Sequence, residues 1–183
     1  SSDLENAKCQ RPSPCNAAEP LLVDRAVASR FLSCVASRLA MRGVEFHADE
    51  ESLPWVRLGV GNRANVVRAA TPEDWGTEYN DLVINVAVVD GVGGAMAHVA
   101  AHGSGHSDAI VTRDESTATR FLQGVDSAAV YWNASTRFTD GFEFGMGAEI
   151  GISTDKIGAR GPMGLEELCS YKWVGRGNGQ VRG

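Results

Sequence analysis

Leu82-Val83-Ile84-Asn85-Val86-Ala87-Val88-Val89 is apolar at every position but Asn85. A run this long without polar alternation predicts a strand covered on both faces, the condition of strands in a parallel sheet. Downstream of it, Val92, Ala95, Met96 and Val99 fall on one helical face, and Ala109-Ile110-Val111 reads as the next strand. Asp114 or Ser116 can cap a helix whose inner face is Ala118, Phe121, Leu122 and Val125, and Ala128 to Trp132 is another buried strand. Upstream, Leu21-Leu22-Val23 is a short strand ending at Asp24. Val27, Phe31, Cys34, Val35 and Leu39 then recur at helical spacing, and Gly43 stands where that helix would stop. Val44 to Ala48 alternates as a strand. Leu53 to Asn65, with Pro54, Gly59, Gly61 and Asn62, reads as a loop, and Asn65-Val66-Val67-Arg68 as a strand. Strands alternating with helices predict an α/β fold, its largely parallel sheet flanked by helices and its site beyond the carboxyl ends of strands.

After Trp132 the pattern breaks. Residues 133–153 hold four glycines, three phenylalanines and no clean period, and a long irregular segment in a compact domain is usually functional. Leu165 to Leu168 reads as a short helix, Cys169 to Val174 as a strand, and 175–183 as a mobile Gly/Arg-rich tail.

The 183 residues suit one domain, or one domain with an appendage, and a hydrophobic share of 43% is enough for a core. A net charge of -6 without any Lys/Arg cluster argues against a nucleic-acid surface. No apolar stretch reaches membrane-spanning length, and no secretory signal is expected ahead of Ser1. The chain does not begin with Met, as expected for a piece of something longer. Its four cysteines (Cys9, Cys15, Cys34, Cys169) form no C-x-x-C pair, so a reducing cytoplasm is expected rather than a disulfide framework or a zinc site. In that compartment the sequon Asn133-Ala134-Ser135 has no role.

Cys15 is the chief candidate for chemistry. Pro12 and Pro14 stiffen the approach to it, and Asn16-Ala17-Ala18-Glu19 can turn helical after it. A sulfur at a helix N-terminus, with Lys8 and Arg11 close in sequence, would favour the attacking thiolate. The alternative is a buried structural cysteine, the commonest fate of a free thiol. Asn133-Ala134-Ser135-Thr136-Arg137-Phe138 follows a core strand, where ligand loops lie; its hydroxyls and the Arg137 fork suit a carboxylate or phosphate, against the alternative of a self-bonded turn. His98, His102 and His106 are spaced for a helical metal site, yet Gly103 and Gly105 should end the helix first, so no metal is expected and a solvated or helix-edge role is. The Gly-rich stretches at 59–61, 91–94 and 175–179 lack a complete phosphate-binding pattern and read as turns. Glu78 alone would be a solvated charge.

Together, Asn6-Ala7-Lys8, Gln10-Arg11-Pro12-Ser13-x-Cys15-Asn16, Asp126 to Tyr131, Asn133 to Asp140, Phe144-Gly145-x-Gly147-Ala148-Glu149 and Ala159 to Glu166 closely resemble the γ-glutamyl phosphate reductases of the aldehyde dehydrogenase superfamily. The same blocks occur in the reductase half of bifunctional pyrroline-carboxylate synthases. The resemblance implies a Rossmann-like catalytic domain over 1–140 and a C-terminal, oligomerisation-type segment over 141–183. It covers less than half of a typical member, the cofactor-binding domain lying outside it. It also implies that Cys15 attacks L-glutamyl 5-phosphate, that NADPH reduces the thioacyl enzyme to glutamate 5-semialdehyde, and that Glu78 holds the nicotinamide ribose. Ser135, Thr136 and Arg137 are then the candidates for binding substrate. The C-terminal strand would pair with a second copy. A rival expectation is a fragment that folds and assembles without turning over; another is a different acylating or aldehyde-oxidising member of the superfamily. Three positions depart from the family pattern: Gly158 where His is usual, and Cys9 and Pro20, each where another residue is common.

Overall fold

In a computed structural model that describes residues 2–183, Val83–Val89 forms the strand its composition demands. It lies inside a four-stranded, all-parallel sheet of order β1-β4-β2-β3, made of Pro20–Asp24 (β1), Glu45–Ala48 (β2), Val67–Ala69 (β3) and Val83–Val89 (β4). Ile84 and Val86 are fully buried, as continuous apolar strands in a parallel sheet should be. Ser107–Ile110 (β5) and Ala129–Trp132 (β6) form a separate parallel pair, and Gly151–Ser153 (β7) with Gly161–Met163 (β8) an antiparallel one.

The helices are Ser2–Cys9 (α1), Ala28–Ala40 (α2), Leu53–Val60 (α3), Gly91–His102 (α4) and Glu115–Gly124 (α5). Leu32, Val35, Ala36 and Leu39 of α2 and Val56 of α3 bury against Phe46, Ile84 and Val86 of the sheet. Gly43, at φ +84°, ends α2 as its position suggested, and Val44 N–H closes on Leu39 O at 3.1 Å. Asp114 caps α5, accepting from the Thr117 N–H at 2.9 Å.

Four expectations fail here. Leu53 to Asn65 is not a loop: α3 occupies 53–60 and a 3₁₀ turn over 61–66 follows, which starts the strand expected at Asn65 only at Val67. Pro54 sits in the helix's first turn, where its missing N–H costs nothing. Gly59 is not a breaker but the point where α3 meets α2, since a Cβ there would lie 2.3 Å from the Ser33 carbonyl oxygen. The inner face of α2 is rotated from the one expected, which leaves Val27 and Cys34 exposed. Leu165 to Leu168 makes only turns. Cys169 to Val174 is no strand, because among the described residues no segment pairs with it to complete a ladder, and Tyr171 and Trp173 stand 85% and 90% exposed. Among the described residues, no helix is long and apolar enough to cross a membrane.

Candidate active site

The chain leaves α1 at Cys9, loops outward and returns at Glu19 to enter β1. Ala18 N–H donates to Ala7 O at 3.0 Å and the fully buried Lys8 Nζ meets the Glu19 carboxylate at 3.0 Å, closing the loop at its base. At its tip Ala17 N–H donates to Pro14 O at 2.9 Å, which makes 14–17 a turn, with Cys15 exposed. Cys15 is therefore neither a packed structural thiol nor the start of a helix. Residues 15–19 form a turn and then extended chain, so no helix dipole reaches the sulfur. Lys8 is spent on Glu19. Partial desolvation is the main cause pushing the thiol pKa up; its backbone N–H opposes this, the Glu149 and Glu78 charges add to it, and Arg137 draws it back. The thiolate-favouring surroundings read from the local sequence are thus reversed.

The loop after β6 meets this turn. Asn133, at φ +52°, redirects the chain and bonds Thr112 with its side chain. Ser135 caps a 3₁₀ turn over Thr136–Phe138, its Oγ accepting from Arg137 N–H at 3.3 Å. Asn16 is the junction. Its carbonyl accepts from Thr136 Oγ1 at 2.6 Å, its side-chain nitrogen donates to Thr139 O at 2.9 Å, and its side-chain oxygen accepts from the Arg137 guanidinium. Arg137 Nε also donates to Gln10 at 3.0 Å. The structure therefore brings Cys15 together with Ser135, Thr136 and Arg137. All three already have partners within the protein, and Ser135 and Thr136 are buried.

Glu78 is exposed and stands five positions ahead of β4, as Cys15 stands five ahead of β1. Because β1 and β4 pair in parallel, both residues gather at the amino ends of these strands, and the loop after β6 alone fits the carboxyl-end expectation. Sequence reasoning passed over three residues of this neighbourhood. Asn16 had no signal beyond adjacency to Cys15. Glu149, whose carboxylate accepts from Gly141 N–H at 2.8 Å, was hidden in the irregular segment. His106 was taken as a solvated or helix-edge residue, but it lies past the end of α4 and is buried, because Gly103 ends the helix and the chain turns inward to β5. Its Nδ1 lies 2.7 Å from Ser107 Oγ, which bonds Thr139, while its Nε2 is without a partner among the described residues. Burial lowers its pKa, against the charges of Glu78, Glu149 and Asp108.

Among the described residues no group of three or more His, Cys, Asp or Glu could hold a metal ion. A groove of about 740 Å³ beside α4 and α5, lined by Met96, Thr119, Arg120 and Gln123 among others, contains none of the site residues. A Cβ on Gly158 would meet nothing within 4 Å, so the side chain usual there has room.

No family model matches the chain. Among curated proteins it is 56% identical over 182 residues to the γ-glutamyl phosphate reductase of Symbiobacterium thermophilum, covering 97% of this chain and 43% of that protein. It is 57% identical over 178 residues to that of Opitutus terrae, covering 97% and 41%. The crystal structure of γ-glutamyl phosphate reductase from Thermotoga maritima superposes with a TM-score of 0.88 at 48% identity, over 99% of this chain and 42% of that one. The chain spans about two fifths of the length of the curated relatives it matches. With identity of 56–57% held across 97% of its length, the chain belongs, as a portion, to the γ-glutamyl phosphate reductase family.

Proposed function

We propose that this chain is the thiol-bearing portion of a reductase that converts L-glutamyl 5-phosphate to glutamate 5-semialdehyde in proline biosynthesis. The observation that carries the reading is the exposed Cys15, held by Asn16 against the loop of Ser135, Thr136 and Arg137. The sulfur, once deprotonated, attacks the acyl carbon. The bond from that carbon to the phosphate oxygen breaks, phosphate leaves and a thioester remains. The Cys15 backbone N–H is a donor for the tetrahedral oxyanion. The three loop residues shape the wall on which the substrate's carboxylate or phosphate rests. Glu78 offers an exposed carboxylate, an acceptor suited to ribose hydroxyls. NADPH, when bound, supplies the hydride that releases the aldehyde, which then cyclises. The catalytic part is assigned to 1–140, and the four free cysteines fit a cytoplasmic setting.

The isolated chain is expected to show no turnover with NADPH, and the chain joined to the preceding part of a family member is expected to turn over. Cys15→Ser in the joined protein should lower turnover at least about a thousandfold. On the isolated chain, mass spectrometry after mixing with an acyl phosphate should find the acyl group on Cys15. Acylation spread evenly over the four cysteines would refute the reading.

Leu168, Tyr171, Trp173 and Val174 are exposed on a segment without a strand partner. We propose that this segment pairs with a second copy of the chain. Light scattering should give a dimer or larger for the full chain and a monomer after truncation at Glu167; a monomeric full chain at tens of micromolar would defeat this.

A further inference from the structure

Among the described residues two buried side-chain atoms lack any partner, Nε2 of His98 and Nε2 of His106. His98 is only half-buried, its ring packs on Trp75 and His102, and no hydrogen bond there ties it to the loops of the site. His106 is 6% exposed and heads a chain of hydroxyls. Its Nδ1 lies 2.7 Å from Ser107 Oγ, Ser107 Oγ lies 2.6 Å from Thr139 Oγ1, and Thr139 Oγ1 lies 2.7 Å from Tyr131 Oη. The carbonyl of the same Thr139 takes the Asn16 side chain at 2.9 Å, so the chain of hydroxyls ends against the residue next to Cys15. A polar atom buried without a partner is costly, and native proteins keep few of them.

The order of donors in that chain decides what Nε2 offers. Each hydroxyl has one hydrogen to give, and the phenol, the most acidic of the three, is the best donor. With Tyr131 donating to Thr139, Thr139 donates to Ser107 and Ser107 to His106 Nδ1. The ring is then the Nε2–H tautomer, and that N–H alone is unpaired. The reverse order would leave both the Tyr131 hydrogen and the Nε2 lone pair without partners among the described residues, so the first order is preferred. Burial, the main cause lowering the His106 pKa, keeps the ring neutral. A free N–H suits an anionic oxygen, which accepts more strongly than a neutral one. Elsewhere in the neighbourhood Ser135 Oγ is bound by the Arg137 N–H, Thr136 Oγ1 by the Asn16 carbonyl, and the Arg137 guanidinium by Asn16 and Gln10. We propose that His106 is a phosphate-binding residue of the site, its Nε2–H held by the Tyr131–Thr139–Ser107 chain and donating to a phosphoryl oxygen of the acyl phosphate. It gives a hydrogen bond and not a proton: the departing phosphate keeps the electron pair of the broken C–O bond, and the hydrogen stays on nitrogen. This deepens the reading given above and rests on its acyl phosphate substrate.

The test uses this chain, isotope-labelled, and needs neither cofactor nor turnover. Long-range nitrogen–proton NMR correlation tells the tautomers of the four histidines apart, and His106→Gln identifies the signals of His106. His106 should be the Nε2–H tautomer. Inorganic phosphate, and not chloride at equal ionic strength, should shift its Nε2 saturably. Tyr131→Phe removes the directing donor and should weaken that phosphate binding about fivefold. An Nδ1–H tautomer, or a His106 that phosphate leaves unmoved, overturns the proposal. Rates of Cys15 acylation by acetyl phosphate give a second readout, because Gln places an amide N–H near the position of Nε2 and Asn near that of Nδ1. His106→Asn should slow acylation at least about tenfold and His106→Gln less than about threefold. A purely structural His106, needed only for its bond to Ser107, would give the opposite order, and that order also overturns the proposal. Should the variants not fold, the phosphate titration of the parent chain decides. Phosphate that shifts His106 while acetyl phosphate leaves Cys15 unacylated sinks the thiol reading alone. Acylation of Cys15 with His106 unmoved by phosphate sinks this proposal alone.

Discussion

Asp74→Ala is expected to lower stability by about 3 kcal/mol at pH 7, and by progressively less as the pH falls below about 4. Burial by itself pushes the Asp74 carboxyl pKa up. The hydrogen bonds from Arg68, Thr71 and Tyr79 outweigh it and hold the group well below the usual carboxylate range. A folded-state pKa below the unfolded one contributes stability that is complete above the unfolded value, near 3.8, and is lost as protonation proceeds below it. The variant lacks this contribution at every pH, so its gap from the parent should close in acid. Arg68 is 44% exposed and can return to water when its partner goes, which keeps the expected cost at the lower end for a broken buried pair. Tyr79 cannot escape in the same way. Burial and then the neighbouring carboxylate raise its pKa strongly, and without Asp74 its hydroxyl loses its charged acceptor. Urea unfolding at pH 7, 5 and 3 reads the gap directly. A gap that stays constant with pH would mean that the ionised carboxylate contributes nothing.

Asn16→Ala is expected to cost about 2 kcal/mol of stability and to slow acyl transfer at Cys15 at least about a hundredfold. The side chain is 6% exposed and joins two loops more than a hundred residues apart. Without it the buried Thr139 carbonyl loses a partner, and an unpaired buried group costs more than the bond itself was worth, while the half-buried Arg137 guanidinium loses one acceptor and keeps Gln10. The Thr136 hydroxyl still reaches the backbone carbonyl of residue 16. The loop should therefore stay near its place but lose its angle, and a displacement of about 1 Å is enough for the loss in rate. Acylation of Cys15 and the melting transition measure the two effects separately. Undiminished acylation would show that the tie to the 136–139 turn does not aim the sulfur.

Some of this was legible in the sequence because it depends on local chemistry. The run 82–89 could not be anything but a covered strand, and Gly43 and Asp114 marked helix ends through rules that act over a few residues. Other features depend on distant contacts. Gly59 looked like a breaker because its neighbour across the helix pair, Ser33, is 26 positions away. Val27, Phe31 and Cys34 satisfied a helical period, but which face turned inward was settled by packing against the sheet. Cys15 and the 135–137 loop were found by residue type. The direction of the thiol's pKa was missed, because partial burial, its largest cause, and then the Glu149 and Glu78 charges reach it only through the fold. The segment 169–174 has the composition of a strand and no partner within the chain.

The pairing of β1 with β4 also bears on how the molecule forms. Pro20 meets Asn85, 65 positions later, and the two segments that gather at the site lie just ahead of those residues. No short-range contact can bring them together, and the closure entropy of the intervening stretch is lost before any parallel ladder repays it. Helices α2 and α3 can associate early. The Cys15 loop and the Glu78 turn come together only when the edge strand β1 pairs with β4, so their meeting is among the last features a refolding chain acquires.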